Sequence, residues 1–330
     1  MHSSSFDLRK VCESSHRLRL LLYDAHIVKS SYSLISSGTE LKVYNGLFDD
    51  AALDVNIKGM EDERMAYPLA YGYCLVGKIM AVGSEVSSHH IGKSVFTFSA
   101  HSSHVVTNLD AVQFVPDGID AVDAIFMPAV ETALSIVHDA NVRVGENVAV
   151  YGQGLIGLLV TKLLSMHNKP RGLQPFGSIT TFDTVAERLA ASSDMGASQA
   201  LLPGGSHGPF DVAIEVSGNY RALQSAIDDT SNGGRVIVGS WYGNNDVRLK
   251  LGIDFHRSHK VIQTSQVSEI PATMLGLWDK QRRFDLSWEL VRQIQPSHLL
   301  TKTTALSQAG EAYEALQNGE EIAIAFDYSL

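Results

Sequence analysis

The sequence predicts an α/β protein of two domains, a β-rich domain and a doubly wound parallel sheet. Three observations carry this prediction. Up to about residue 124, short β-branched and aromatic stretches are punctuated by glycine, the pattern of a compact, barrel-like β domain. Around Ile125, Val130, Leu134 and Val137 the apolar spacing turns helical. Beyond residue 146, strand-like and helix-like segments alternate, as in a parallel sheet with crossover helices.

Taken in order, "LRLLLYDAHIVKSSYSLIS", "YCLVGKIMAVGS" and "KSVFTFSAHSSHVVT" read as strands with glycine turns. Residues Pro128 to Ala140 read as a helix. The alternating part follows as strand Asn147 to Tyr151, helix Leu155 to Met166, strand Ser178 to Phe182 and helix Ala186 to Met195. It continues as strand Phe210 to Glu215, helix Arg221 to Asp229, strand Gly234 to Gly239 and a closing strand Lys260 to Gln266. "HNKPRGLQPFG", His167 to Gly177, is expected as a surface loop. The segment "IPATMLGLWDKQRRFDLSWELVRQI" is expected as one or two helices, with Trp278, Phe284 and Trp288 in the core.

Composition narrows the partners. The chain has 330 residues, 45% of them hydrophobic, enough for two domains with their own cores. A formal charge of −10 and a pI near 5.7 argue against nucleic acid or an anionic membrane, which leaves a small molecule as partner. Cys12 and Cys74 are the two cysteines, and no Asn-X-Ser/Thr sequon occurs, so a reducing compartment is expected, cytoplasm or an organelle matrix such as a plastid. No apolar run reaches the roughly 18 residues of a membrane span. The start "MHSSSFDLRKV" reads as a frayed terminus or the remnant of a targeting segment.

Gly152, Gly154 and Gly157 in "VAVYGQGLIGLLVTKLL" match GxGxxG between a strand and a helix. There a pyrophosphate would rest on unpaired amides at the helix start, at Leu155 and Ile156. Gly152 would allow the turn, Gly154 would clear space for phosphate, and Gly157 would let helix and strand approach. Asp183 ends the next strand, 26 residues after Gly157 against the roughly 20 usual for such folds, the loop at 167–177 supplying the excess. Its carboxylate would accept from the adenosine-ribose hydroxyls and repel a 2′-phosphate, favouring NAD(H), with NADP(H) possible. The competing reading makes Asp183 a plain helix cap.

Several ordered landmarks, "SSGTELKVYNG", "YPLAYGYCLVGKIMAVGSEV", "GKSVF", "VRVGENVAVYGQGLIG", "FDVAIEVSGNYRALQSAI" and "GGRVIVGSWYG", resemble the medium-chain dehydrogenase/reductase superfamily from about residue 17 onward. The resemblance implies a GroES-like β-rich catalytic domain at 1–124 and 269–330 with a Rossmann domain at 125–268, the last helical segment returning to the first domain. The family's zinc-binding members carry Cys in Cys-Gly-Thr-Asp and His in Gly-His-Glu. Here those motifs read Ser37-Gly38-Thr39-Glu40 and Gly72-Tyr73-Cys74, and the third ligand position falls near Met127. A hydroxyl, a phenol and a thioether make no zinc site, and two cysteines cannot supply the structural zinc lobe. The resemblance therefore implies the zinc-independent branch, nearest in pattern to bacteriochlorophyllide dehydrogenase-like members, which oxidise a hydroxyethyl group on a tetrapyrrole.

Without a Lewis acid, hydride transfer needs hydrogen-bond or proton donors beside the substrate oxygen. Tyr73 is expected to donate, with Ser37 and Thr39 as relay or positioning hydroxyls. His101 and His104 are the next candidates, able to carry a proton near neutral pH; strand spacing points the pair to opposite faces, so at least one is structural, and His101 is preferred because it lies nearer the loop tip. Glu131 stands where the family contacts the nicotinamide amide, or else serves the helix dipole. Arg188 matches a cation at the adenosine ribose, or is a solvated helix charge. Ser217, Gly218, Ser240, Trp241 and Tyr242 follow strands at the ligand-binding edge of the sheet. Cys74 reads as a small core residue. Arg257, near His256, His259 and Lys260, reads as a sheet cap or subunit contact rather than a carboxylate anchor. The expected function is oxidation or reduction of an alcohol or carbonyl on a fairly apolar substrate. The alternatives are an NADPH-dependent quinone or enone reductase and an inactive dinucleotide-binding scaffold. Pairing through the edge strand at 260–266 would make a homodimer.

Overall fold

The computed structural model describes residues 25–48, 66–167, 177–204 and 207–330. Cys12, the start of the chain and residues 168–176 of the loop expected at His167 to Gly177 lie outside them. The first part runs β1 (Ala25–Leu34), α1 (Ser37–Tyr44), β2 (Leu75–Val82), β3 (Ser94–Thr97), β4 (His104–Asn108) and β5 (Val112–Phe114). Two helices follow, α2 (Ala121–Ala124) and α3 (Met127–Ala140). Then come β6 (Val148–Tyr151), α4 (Leu155–His167), β7 (Ile179–Phe182), α5 (Ala186–Asp194) and β8 (Gln199–Leu201). The alternation ends with β9 (Phe210–Glu215), α6 (Tyr220–Asp228), β10 (Thr230–Val238), α7 (Asp254–Arg257) and β11 (Val261–Thr264). The rest is α8 (Lys280–Ile294), β12 (Lys302–Thr304), α9 (Ala309–Gln317) and β13 (Ile324–Asp327).

The parallel sheet has the order β11-β10-β9-β6-β7-β8. This is the Rossmann arrangement, whose strand order reverses between β6 and β9, the place where such sheets open a ligand crevice. The second sheet is mixed, in the order β12-β13-β1-β2-β3-β5 with β4 on β1. Register shifts at Ile27/Val28 and Ser30/Tyr32 bend β1, as bulges do, so that its ends serve different partners.

Local chemistry explains the helices that matter for the site. α3 carries Pro128 in its first turn, where its fixed φ is tolerated, and stops at Asn141, which adopts φ 44. α8 is capped by Asp279, whose side chain accepts from Arg282 N at 2.7 Å. One apolar core is continuous from the mixed sheet to the parallel one, joining Leu34 and Phe96 to Val130, Val148, Ile214 and Trp288. Burying each such side chain stabilises the fold by about 1.5–3 kcal/mol.

The structure corrects several expectations. Residues 37–44, to which the sequence reading assigns no element, form a helix whose first turn is closed by Ser36 N donating to Glu40. β10 begins at Thr230 and passes through the Gly233-Gly234 pair, with an irregularity before Arg235. The return to the first sheet is made by β12 and β13 as well as by α8. Trp278 lies outside the core, half-buried beside His138 with Arg282 4.2 Å from its ring, because it precedes the α8 cap. Trp288 is a core residue, donating to Gln113 at 3.2 Å, and Phe284 is half-buried. Among the described residues no helix is long and apolar enough to cross a membrane.

His138 gives this packing a pH signature. Burial, then the charges of Arg283 and Arg282, lower its pKa from 6.5 to about 4. The unfolded chain takes up a proton below about pH 6.5 that the folded chain refuses until about pH 4. Stability is therefore expected to fall as pH drops through that window, by up to about 1.4 kcal/mol per pH unit. Denaturant titrations across the window check this, H138Q removing its share of the slope while His26 and His90, also lowered, keep theirs.

Candidate active site

A cleft of about 1530 Å³ runs between the two sheets, lined by both. Its floor is the turn from β6 into α4. Gly152 has φ 99, and a Cβ there would stand 2.7 Å from Ser217 Cα. A Cβ on Gly157 would stand 1.9 Å from Gly152 O, whereas one on Gly154 would meet nothing within 4 Å. The first two glycines are required by the backbone itself, and the third leaves open space beside the helix start. The amides of the first turn of α4, at Leu155 and Ile156, have no acceptor within the helix. This cradle fits a dinucleotide pyrophosphate.

Asp183 ends β7 and lines the cleft at 8% exposure. Its Oδ2 accepts from Gln153 N at 2.6 Å and its Oδ1 from Val185 N at 2.9 Å. A carboxylate offers about four acceptor positions, so two remain for ribose hydroxyls. Arg188, on α5, donates through Nη2 to Gly319 O at 3.4 Å and Glu321 O at 3.3 Å, bridging to the segment before β13, and its buried Nε lacks a partner.

Ser217, Gly218, Ser240 and Tyr242 form one network around Glu215, a residue that sequence reasoning missed. Glu215 is fully buried, and its Oε1 accepts from Ser217 N and Oγ, both at 2.7 Å, and from Gly218 N at 3.0 Å. Tyr242 OH donates to Oε2 at 2.7 Å, and Gly218 N also donates to Ser240 Oγ at 2.8 Å. Burial, then the Glu215 charge, raises the Tyr242 pKa and keeps its phenol neutral. The signal available was an acid ending a strand just before Ser-Gly.

At the other end, Ser36, Ser37, Thr39 and Tyr73 share the cleft wall with Phe48, Phe98, Trp241 and Phe284. Tyr73 OH is hydrogen-bonded to Ser36 Oγ. Burial, foremost, raises its pKa. Sequence reasoning chose Ser37 from the Ser36-Ser37 pair, whereas the described bond belongs to Ser36.

His101 is absent from the cleft wall; its Nε2 lies 3.0 Å from Glu40 Oε2 and its ring lies on Gly72. His104 is exposed on β4 with Ser103 as neighbour. Glu131 does line the cleft, and Arg283 Nε donates to it at 2.8 Å. Burial raises the Glu131 pKa while Arg283 opposes the shift. Cys74 is buried and its thiol pKa is pushed up by burial, then by the Glu40 charge, which suits an inert core residue. Arg257 is exposed on α7, and Lys260 caps α6 by donating to Ile227 O at 2.8 Å.

The donor set does not fit zinc. Ser37 and Tyr73 carry oxygens of neutral hydroxyls, and Met127 is wholly buried in the core at the start of α3. Among the described residues no group of three His, Cys, Asp or Glu side chains could hold a metal ion.

No protein-family profile matches the chain. It is similar to D-guloside 3-dehydrogenase of Escherichia coli (strain K12), 27% identical over 258 residues that cover 73% of this chain and 72% of the relative. It is also similar to L-threonine 3-dehydrogenase of Anaeromyxobacter sp. (strain Fw109-5), 24% identical over 340 residues, 88% of each chain. Among solved structures, a protein assigned as a zinc-binding dehydrogenase from Sinorhizobium meliloti 1021, bound to NADP, shares the fold with a TM-score of 0.71 over 92% of both chains, at 17% identity.

The glycine geometry separates two variants. G154A is expected to melt with the parent and to weaken NADH binding by at least about tenfold, the effect of filling a phosphate seat. G157A is expected to lose both binding and thermal stability, because its methyl group meets the Gly152 carbonyl. Thermal melts and nucleotide fluorescence titrations report the two effects.

Proposed function

We propose that this chain, an oxidoreductase of the medium-chain dehydrogenase/reductase type, moves hydride between NAD(H) and an alcohol or carbonyl of a fairly apolar substrate without zinc. The observation that carries the reading is Tyr73. It is a phenol kept neutral by burial, on the cleft wall, at the position where the zinc-binding motif would place a histidine.

When bound, the nicotinamide ring supplies or accepts the hydride. The protein must then manage one oxygen and one proton. In reduction, the carbonyl carbon gains the hydride, the C=O π pair moves to oxygen, and Tyr73 donates a hydrogen bond and then its proton to that oxygen. Ser36 and Thr39 donate to the phenol oxygen as it gains charge. Oxidation is the reverse: the alcohol oxygen passes its proton to Tyr73 in its phenolate form as carbon gives its hydride to the oxidised nicotinamide, and solvent exchanges the phenol proton between turnovers. A positioned general acid accelerates such a step by about 10²–10⁴-fold.

Phe48, Phe98, Trp241 and Phe284 make the substrate end apolar, suited to a bulky hydrocarbon body such as a hydroxyethyl-bearing ring system. At the nucleotide end Asp183 favours two free ribose hydroxyls over a phosphate. Arg188 offers only a partly engaged guanidinium for a 2′-phosphate, which supports NAD(H) over NADP(H). Homodimer formation through β11 agrees with its place at the sheet edge, where Val261 is 51% exposed.

The test is turnover of a panel of polyols, apolar secondary alcohols and hydroxyethyl tetrapyrroles with NAD⁺, alongside metal analysis of the purified protein. Y73F is expected to lower kcat by about 100-fold with unchanged NADH affinity. Full turnover in Y73F, or activity that depends on stoichiometric zinc, overturns the reading. NADH is expected to bind at least about tenfold more tightly than NADPH, a difference of about 1.4 kcal/mol, and equal affinities overturn the assignment of cofactor.

A further inference from the structure

Resting on Tyr73 as the proton donor, we propose that the buried Glu40–His101 pair is the positioning element of this site, clamping Tyr73 from both sides so that its hydroxyl proton faces the cleft. Glu40 is 1% exposed and its carboxylate collects three donors from separate parts of the chain. Ser36 N donates to Oε1 at 2.7 Å. His101 Nε2 lies 3.0 Å from Oε2, which also accepts from Tyr313 OH.

The Ser36 bond is one side of the clamp. It holds the residue whose Oγ is bonded to Tyr73 OH. The other side is His101. Its backbone N donates to Tyr71 O at 3.2 Å, and its ring lies on Gly72, where an added Cβ would sit 2.8 Å from Cδ2. Gly72 has φ 123, so the segment leading into Tyr73 takes a path open to glycine and packed by imidazole.

The imidazole is itself fixed. Its Nδ1 is 2.7 Å from Ser33 Oγ, which is 2.9 Å from Tyr328 OH, and its ring meets Phe326 edge-on at 4.9 Å. With Nε2–H given to Glu40, Nδ1 accepts from Ser33. The hydrogen-bond direction then runs inward from Tyr328 to the carboxylate. Glu40 alone would close the first turn of α1 through Ser36, as acids near helix starts do. That task needs neither His101 nor Tyr313, yet both converge on the same oxygen. A carboxylate accepts from all three donors, whereas the nitrogen of a glutamine amide accepts from none.

The test places 3-fluorotyrosine at position 73 of the full chain and follows its ¹⁹F resonance with and without NADH. In the parent a single narrow line is expected. E40Q and H101L are expected to shift and broaden it, while H101Q, which keeps an N–H near the Nε2 position, preserves it. The same two disruptive variants are expected to lower kcat by about 10- to 100-fold, the cost of a misplaced reacting group, with NADH affinity unchanged. An unchanged resonance in E40Q and H101L overturns the proposal, and so does equal disruption by H101Q and H101L. Should E40Q fail to fold, the histidine pair of variants decides alone. Because the resonance needs no substrate, its outcome is independent of Y73F turnover: a shifted line with fully active Y73F refutes Tyr73 as donor but not the clamp.

Discussion

The steric requirement at the β6–α4 turn governs the rest of the molecule. A backbone carbonyl at Gly152 and the first turn of α4 approach so closely that a single methyl group on Gly157 would overlap the oxygen. That approach brings the end of β6 against the end of β9 at Ser217, where the strand order reverses. It also leaves the amides of Leu155 and Ile156 facing the cleft. The seat for an anionic group follows from chain crowding, not from any charged side chain, in a protein whose net charge is −10.

Negative charge on and behind the cleft wall is handled by a common device. Asp183 receives Gln153 N and Val185 N, Glu215 receives Ser217 N and Gly218 N, Glu40 receives Ser36 N, and Glu131 receives Arg283. Each carboxylate is thus tied to the backbone or to a guanidinium before a ligand arrives. Loss of a partner at such a buried site is costly, about 3–5 kcal/mol for a buried ion pair. The carboxylates serve as frame members for Ser217, Ser36 and the α3–α8 junction, and Tyr73 lines the opposite end of the cleft as a neutral phenol without a formal charge to desolvate.

Much of this was legible in the sequence because it follows from local rules. The alternation after residue 146, the three glycines and the acid at Asp183 all rest on spacing within a few tens of residues. What stayed hidden was long-range. Glu40 meets His101 across 61 residues and Tyr313 across 273, and nothing in "SSGTE" announces either partner. Glu215 looked like the end of a strand, and its role appears only once Tyr242 arrives from the next one. The helix at Ser37–Tyr44 was masked by turn-forming Ser, Gly and Thr at its start, which a carboxylate from the following turn brings into helical geometry.

The pairing of β1 with β13 has a consequence for biosynthesis. Tyr32 sits opposite Asp327 and Leu34 opposite Ala325, so an early strand waits for a late one. While the ribosome is still making the intervening chain, the edge of β1 that β13 will cover has bare amides and carbonyls, a template for unwanted strand addition. The parallel sheet closes on itself from residues 148–264 and can consolidate sooner. The mixed sheet therefore closes last, and the nascent chain passes through a stage in which the parallel sheet can be complete while the other still lacks its final strands.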